Sequence, residues 1–154
     1  MRYTLRPATD ADYAFMRDVK FAGLRQYVEQ MFGWNEQEQE TRFREHFEPS
    51  GSQLIVQDGA PIGYVHVVDE GDAVFLAGIY VARRCQRQGI GSGVIETLVR
   101  ETHSKGKSVT LRVLRSNPAK ALYERLGFSV VRETDTHYEM LAQLPGPSPV
   151  EGGV

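Results

Sequence analysis

Read for the spacing of apolar and polar positions, the chain predicts elements in the order β-α-α-β-β-β-α-β-α-β-β. Tyr3 to Arg6 alternates apolar and polar side chains and runs into a proline, the pattern of a short first strand. Thr9 and Asp12 form a capping-box pair ahead of Phe15, Met16, Val19 and Ala22, which recur at helical spacing. A second helix is predicted from Asn35, with Glu38 three residues on and with Phe43 and Phe47 on one face. Pro49 and Gly51 end it. Met31-Phe32-Gly33-Trp34 reads as an apolar connection between the two helices.

The middle of the chain reads as strands. Gln53 to Gln57, a turn at Asp58-Gly59 and Ile62 to Val68 form a predicted hairpin. Glu70-Gly71-Asp72 turns the chain again into the apolar run Ala73 to Val81, and these two acids serve a solvated turn. Helical periodicity returns after Gly89, with Ile90, Val94, Ile95, Leu98 and Val99 on one face. Ser108 to Leu114 alternates as a strand. Asn117-Pro118 then reads as an N-cap followed by a first-turn proline, and Gly127 stops that helix. Phe128 to Val131 and His137 to Leu141 complete the set. The fold class is α/β, one domain over residues 1–144. Its mixed sheet has about seven strands and about four helices, and residues 145–154 are expected to form a disordered tail.

Composition narrows the classes. With 154 residues, 41% of them hydrophobic and 25% charged, the chain has the make-up of one globular domain that needs no disulfide or metal staple. Cys85 is the only cysteine, which favours a reducing, cytoplasmic setting. No apolar stretch approaches a membrane span, and no signal core opens the chain. The four histidines are scattered and show no ligand spacing, so no metal is expected. A net charge of -2 gives no global attraction to nucleic acid or anionic membrane, so an anionic ligand needs a local site.

That local site is legible after the fourth strand. Ile79-Tyr80-Val81 feeds a loop with Arg83, Arg84 and Arg87, and Gly89 and Gly91 then open an amphipathic helix. Unpaired amides and a positive dipole at a helix start suit a pyrophosphate, and glycines let its oxygens approach the backbone. No third glycine completes a dinucleotide fingerprint, and no Gly-Lys-Ser/Thr makes a P-loop. A groove-reading motif for nucleic acid is also missing, despite the arginines.

Gln86-Arg87-Gln88-Gly89-Ile90-Gly91 resembles the signature of the GCN5-related N-acetyltransferase (GNAT) family. Asn117-Pro118-Ala119, Ala121-Leu122-Tyr123-Glu124 and Leu126-Gly127-Phe128 resemble its second motif, with the alanine shifted by one residue. The resemblance covers roughly residues 3–142 and implies transfer of acetyl from acetyl-CoA, bound as co-substrate, to a primary amine by direct attack in a ternary complex. It implies that the backbone of Ile79, Tyr80 and Val81 pairs with the pantetheine arm. Gln86, Arg87, Gln88, Gly89, Ile90, Gly91 and Ser92 would hold the pyrophosphate. Asn117 would contact the coenzyme or cap its helix, and Tyr123 would protonate the departing thiolate.

One part of the family pattern is missing. Relatives place a glutamate base at the position of Ala77 or of Arg112, and neither residue here accepts a proton. A lysine-like amine costs about 4–5 kcal/mol to deprotonate at pH 7 and an α-amine about 1. The expectation is therefore a water chain or an acceptor of low pKa, and His66 is a weaker candidate base. The family does not use a nucleophilic cysteine at the position of Cys85. Tyr27, Trp34, His137 and Tyr138 are candidate acceptor contacts. Tyr27, Met31, Phe32 and Trp34, with Glu36, Glu38, Glu40, Glu45 and Glu48, form either an acidic, aromatic lid for a cationic small-molecule or peptide amine, or simply a wet helix face. A homodimer is compatible with such domains. The alternative reading is a non-catalytic acyl-CoA-binding or sensing module, which the missing glutamates permit.

Overall fold

The computed structural model describes residues 2–146, and its elements follow the predicted order. They are β1 (Thr4–Pro7), α1 (Tyr13–Phe32), α2 (Glu36–His46), β2 (Ser52–Gln57), β3 (Ala60–Asp69), β4 (Ala73–Val81), α3 (Ile90–Ser104), β5 (Ser108–Leu114), α4 (Ala119–Arg125), β6 (Ser129–Glu133) and β7 (His137–Ala142). The strands form one seven-stranded sheet in the order β1-β2-β3-β4-β5-β7-β6. Only β4 and β5 run parallel, because α3 carries the chain back across the sheet between them. Hairpins and edge pairings make every other neighbour antiparallel.

Period-two alternation divides the buried side chains between two faces. On β2, Leu54 enters the cluster built with Met16 and Val19 of α1 and Phe43 of α2. Its neighbour Ile55 enters the opposite cluster, with Val65, Leu76, Val109 and Leu111 from the sheet and Ile90, Val94 and Ile95 from α3. Tyr123 of α4 and Leu126 just after it pack on that second cluster as well. So α1 and α2 cover one face, while α3 and α4 cover the other. Leu54, Ile55 and Val109 are fully buried, and each contributes about 2 kcal/mol of transfer free energy.

Local chemistry moves several boundaries. The Thr9–Asp12 capping box forms, but it opens a single 3-10 turn over Asp10–Asp12 that runs into α1 at Tyr13. Met31 and Phe32 belong to α1 rather than to a connection, because the helix stops only at Gly33, whose φ of 77° suits glycine. Phe47 leaves α2 in an extended conformation yet still packs against Phe43 and Tyr13, at ring separations of 5.7 and 5.0 Å. Of the expected tail, Pro145 and Gly146 carry no regular structure, and residues 147–154 lie outside the described residues. No helix among the described residues is long and apolar enough to cross a membrane.

Candidate functional site

The site begins at a fault in β4. Pairing with β3 shifts register between His66 opposite Gly78 and Val67 opposite Leu76, leaving Ala77 as the extra residue of a bulge. Pairing with β5 runs from Ala73–Ser108 to Leu76–Leu111 and stops there. Strand β5 nevertheless continues to Leu114, paired with β7. The two parallel strands therefore part at the bulge, and β5 supplies no ladder to Gly78, Ile79, Tyr80 and Val81. The open backbone edge of those four residues lines a wedge in the middle of the sheet. Two glycines permit this path. A Cβ on Gly63 would come within 2.1 Å of the Tyr80 carbonyl oxygen, and one on Gly78 within 2.7 Å of the Tyr80 ring.

The wedge leads into the basic loop. Gln86 folds back, its Nε2 donating to the Val81 carbonyl at 2.9 Å, so its side chain fixes the loop to the strand end. Arg87 (φ 63°) and Gly89 (φ 81°) are both left-handed, an alternation that turns successive amides toward one concavity. No side chain caps α3, and Gly93 is the first residue whose amide reaches a helix carbonyl, that of Gly89 at 2.9 Å. A Cβ on Gly89 would meet nothing within 4 Å, and one on Gly91 only Val81 Cγ2 at 4.0 Å. Open space thus faces free amides at a positive helix end, and the loop that leads to it carries the exposed Arg83, Arg84 and Arg87. These residues fit a pyrophosphate. Cys85 is buried below the loop, with Arg84 Nη1 donating to its Sγ at 3.3 Å.

Ile79, Val81 and Tyr123 share one apolar cluster, which brings α4 to the α3 side of the wedge. Asn117 caps α4, its Oδ1 accepting from the Ala119 amide at 2.9 Å, and the helix begins at Ala119, one residue after the predicted proline start. The Tyr123 ring packs edge-on against Phe128 at 5.9 Å. Burial pushes its phenol above the usual range. That keeps the hydroxyl protonated, as an acid requires.

The opposite, α1 side of the wedge carries a different set. Tyr80 packs on Tyr64 at 5.2 Å, and burial raises both phenols. Lys20 of α1 lies near the rings of Phe43 and Tyr80, 5.6 and 6.0 Å from their centroids, and makes no ion pair among the described residues. Burial, then the nearby Arg42, lowers its pKa. Sequence reading passed over this lysine, although its spacing of four from Met16 places it on the buried stripe of α1. His66 is half-buried, its Nε2 sealed without a partner among the described residues beside Gly51 of the 3-10 turn that precedes β2. Burial and Lys20 lower its pKa, against an opposing pull from Glu48.

Across the wedge, Arg112 is the first residue of β5 beyond the last rung shared with β4. It faces the α1 side, since Leu111 and Val113 on either hand belong to the α3–α4 cluster. Glu139 of β7 lies directly opposite Arg112, and Arg132 of β6 opposite Glu139, so the three form one cross-strand row. His137 and Tyr138 share a strand but not a face. His137 points to the side of Arg112, its pKa lowered by burial and then by that arginine. Tyr138 lies between Arg115 and Lys120 at 4.8 and 5.1 Å on the α4 side.

Three of the five candidate lid glutamates, Glu36, Glu38 and Glu40, are paired. Arg17 pairs with Glu40 and Glu36, Arg25 with Glu29 and Glu36, and Arg42 with Glu38. Trp34 donates to Glu36 at 2.8 Å and packs edge-on against Phe21. It joins Arg17, Arg25 and Arg83 around a cleft of about 530 Å³ on the outer flank of α1. Tyr27 does not line that cleft. Its carbonyl accepts from Ser116 Oγ at 2.8 Å, tying α1 to the β5–α4 loop. Among the described residues no group of three or more His, Cys, Asp or Glu side chains is placed to hold a metal.

Known proteins share this architecture. The PaiA N-acetyltransferase of Thermoplasma acidophilum, solved in complex with coenzyme A, superposes with a TM-score of 0.76 at 16% identity, over 92% of this chain and 98% of its own. A ribosomal-protein alanine N-acetyltransferase of Escherichia coli gives 0.66 at 22% identity, over 98% of this chain and the whole of its own. In sequence, 102 residues are 37% identical to the mycothiol acetyltransferase of Mycolicibacterium vanbaalenii, covering 64% of this chain. The match spans about a third of that relative's length, 33%. The sequence profile described as "Acetyltransferase (GNAT) family" matches residues 21–128. With the split sheet and the glycine-opened helix, that match over most of the chain makes this protein a member of the GNAT acetyltransferase family.

Proposed function

We propose that this chain transfers the acetyl group of acetyl-CoA to a primary amine by direct attack in a ternary complex. The observation that carries the reading is continuity. The edge of Gly78–Val81 left open by β5 leads, through the loop of residues 82–89 that Gln86 ties to the strand end, into the uncapped start of α3. A pantetheine arm laid along that edge as an added strand delivers its pyrophosphate to the loop amides of Arg87 to Ser92, the Gln86 amide being held instead by the Arg83 carbonyl at 3.2 Å. Its thioester then reaches the bulge at Ala77, between the two faces of the sheet.

The amine enters from the α1 side. Its nitrogen attacks the thioester carbon, the carbon–sulfur bond breaks, and Tyr123 Oη gives its proton to the leaving thiolate. With a thiol near pKa 8.5 and a phenol held above its usual range the transfer runs uphill, and the tyrosinate it leaves recovers a proton from solvent. The attacking nitrogen loses its proton to water, since Ala77 and Arg112 occupy the positions where relatives carry a glutamate. The acceptor is thus an amine already neutral in part at physiological pH.

Release of free thiol from acetyl-CoA, followed with a panel of amines, tests the reading. Thiol release that depends on the amine is expected. Tyr123→Phe should lower kcat by about 10²-fold without weakening coenzyme binding. Coenzyme binding with no turnover on any amine favours the sensing module, which the missing carboxylate base permits. Unaltered turnover in Tyr123→Phe removes the acid assigned here.

A further inference from the structure

Arginines on the α1 side of the molecule differ in how fully they are paired. Arg17 is saturated: it holds Glu40, Glu36 and Asp18 through three separate nitrogens, and lies over the Phe21 ring at 4.5 Å. Arg25 and Arg42 face their carboxylates at 3.5–3.8 Å. Arg112 is not saturated. Among the described residues its only carboxylate is Glu139, at 3.9 Å, beyond hydrogen-bond reach, and Arg132 draws on the same carboxylate at 3.8 Å. Two guanidiniums thus share one carboxylate, which leaves a positive charge. Arg112 also stands at the fork where β4 and β5 part, with its side chain half-exposed (49%) on the face from which the amine enters. Lys20 supplies a second cation without a carboxylate partner among the described residues, on the other side of that fork. Adjacent strands lie about 4.8 Å apart, so a guanidinium at this rung is within reach of an acceptor seated at the bulge.

We infer that Arg112 selects the acceptor, and that the acceptor is an amine that also carries a carboxylate. The inference rests on the acetyl-transfer reading above and names the substrate class of that site. A guanidinium presents a planar fork that a carboxylate meets with two parallel hydrogen bonds, and Arg112 has that fork free. The same charge eases the proton problem. A cation beside the bound ammonium disfavours its charged form and lowers its pKa, which raises the neutral, nucleophilic fraction without a base. The residue that replaces the family's glutamate thus anchors the acid end of the substrate and shifts the ionisation of its amine end.

The test compares alanine with alaninamide, and an Asp-containing dipeptide amide with its Asn-containing counterpart, as acceptors for the wild-type protein, Arg112→Gln and Arg112→Lys. Wild type is expected to show a KM at least tenfold lower for the carboxylate member of one pair, and the pair that responds tells a free amino acid from an acidic peptide. In Arg112→Gln that preference collapses toward unity, and the pH at which kcat reaches half its maximum rises. Arg112→Lys, which keeps the charge and loses the fork, restores the pH profile more than the preference. Calorimetric titration of the same compounds into the protein saturated with coenzyme A reads the preference without turnover. Equal KM and equal binding within both pairs overturn the inference, as does a preference that survives in Arg112→Gln. Failure of acetyl-CoA itself to bind the wild-type protein is a separate result and strikes the acetyl-transfer reading instead.

Discussion

Gly63 and Gly91 are both glycines beside the wedge, and their surroundings set opposite tolerances. A Cβ on Gly63 has the Tyr80 carbonyl at 2.1 Å and the Val81 Cα at 3.0 Å, all backbone, so nothing there yields cheaply. Gly63→Ala is expected to cost more than about 3 kcal/mol in denaturant unfolding, because β3 must part from β4 beside the bulge. Gly91 has open space before it, so Gly91→Ala should fold with little loss. Sequence reading marked Gly91 through the motif and missed Gly63, since a glycine within a strand does not reveal which backbone approaches it. Lys20, Arg112 and Glu139 were illegible as a group for a like reason. They lie on α1, β5 and β7, and only sheet register brings the last two into one row.

At the scale of elements, most of the architecture was written in local pattern. Strands β4 and β5 and the start of α3 fall where alternation and glycine placed them, because each lies between unambiguous turns. The weak amphipathicity of α1 hid its length, and its last turn reads as loop because Met31 and Phe32 extend no clear stripe. Asn117 shows how one residue serves an element. Removing its cap in Asn117→Ala is expected to cost about 1 kcal/mol of stability, with Asn117→Asp retaining most of it. The wedge and the loop are also expected to respond as one element. Amide exchange at residues 78–81 and 87–92 should slow on addition of acetyl-CoA, while the α2 amides remain unchanged. Protection confined to α2 and the outer flank of α1 would move the coenzyme to the other cleft.

Across the whole molecule, buried phenols set the alkaline limit of stability. Burial holds Tyr64, Tyr80 and Tyr123 above the ordinary phenol range in the folded chain. In the unfolded chain they ionise near pH 10. Their raised values favour the protonated, folded form. That contribution is therefore complete below about pH 10 and is lost as pH climbs from there toward the folded values. Each phenol adds a slope of at most about 1.4 kcal/mol per pH unit. Unfolding curves at pH 7, 8.5 and 11 should show this contribution flat between the first two and partly lost at the third. A flat response through pH 11 would contradict the burial of these rings.

The central claim is that the glycine-opened start of α3 holds the coenzyme pyrophosphate, and Gly91→Glu probes it directly. That substitution keeps an ordinary backbone and has room for its Cβ, but it puts a negative charge where the phosphates are placed. Isothermal titration of acetyl-CoA into wild type and Gly91→Glu, with folding checked by circular dichroism, is the decisive measurement. Micromolar binding to wild type, weakened at least a hundredfold in the variant, is the result expected. Equal binding to both proteins, or none to the wild type, would contradict the account.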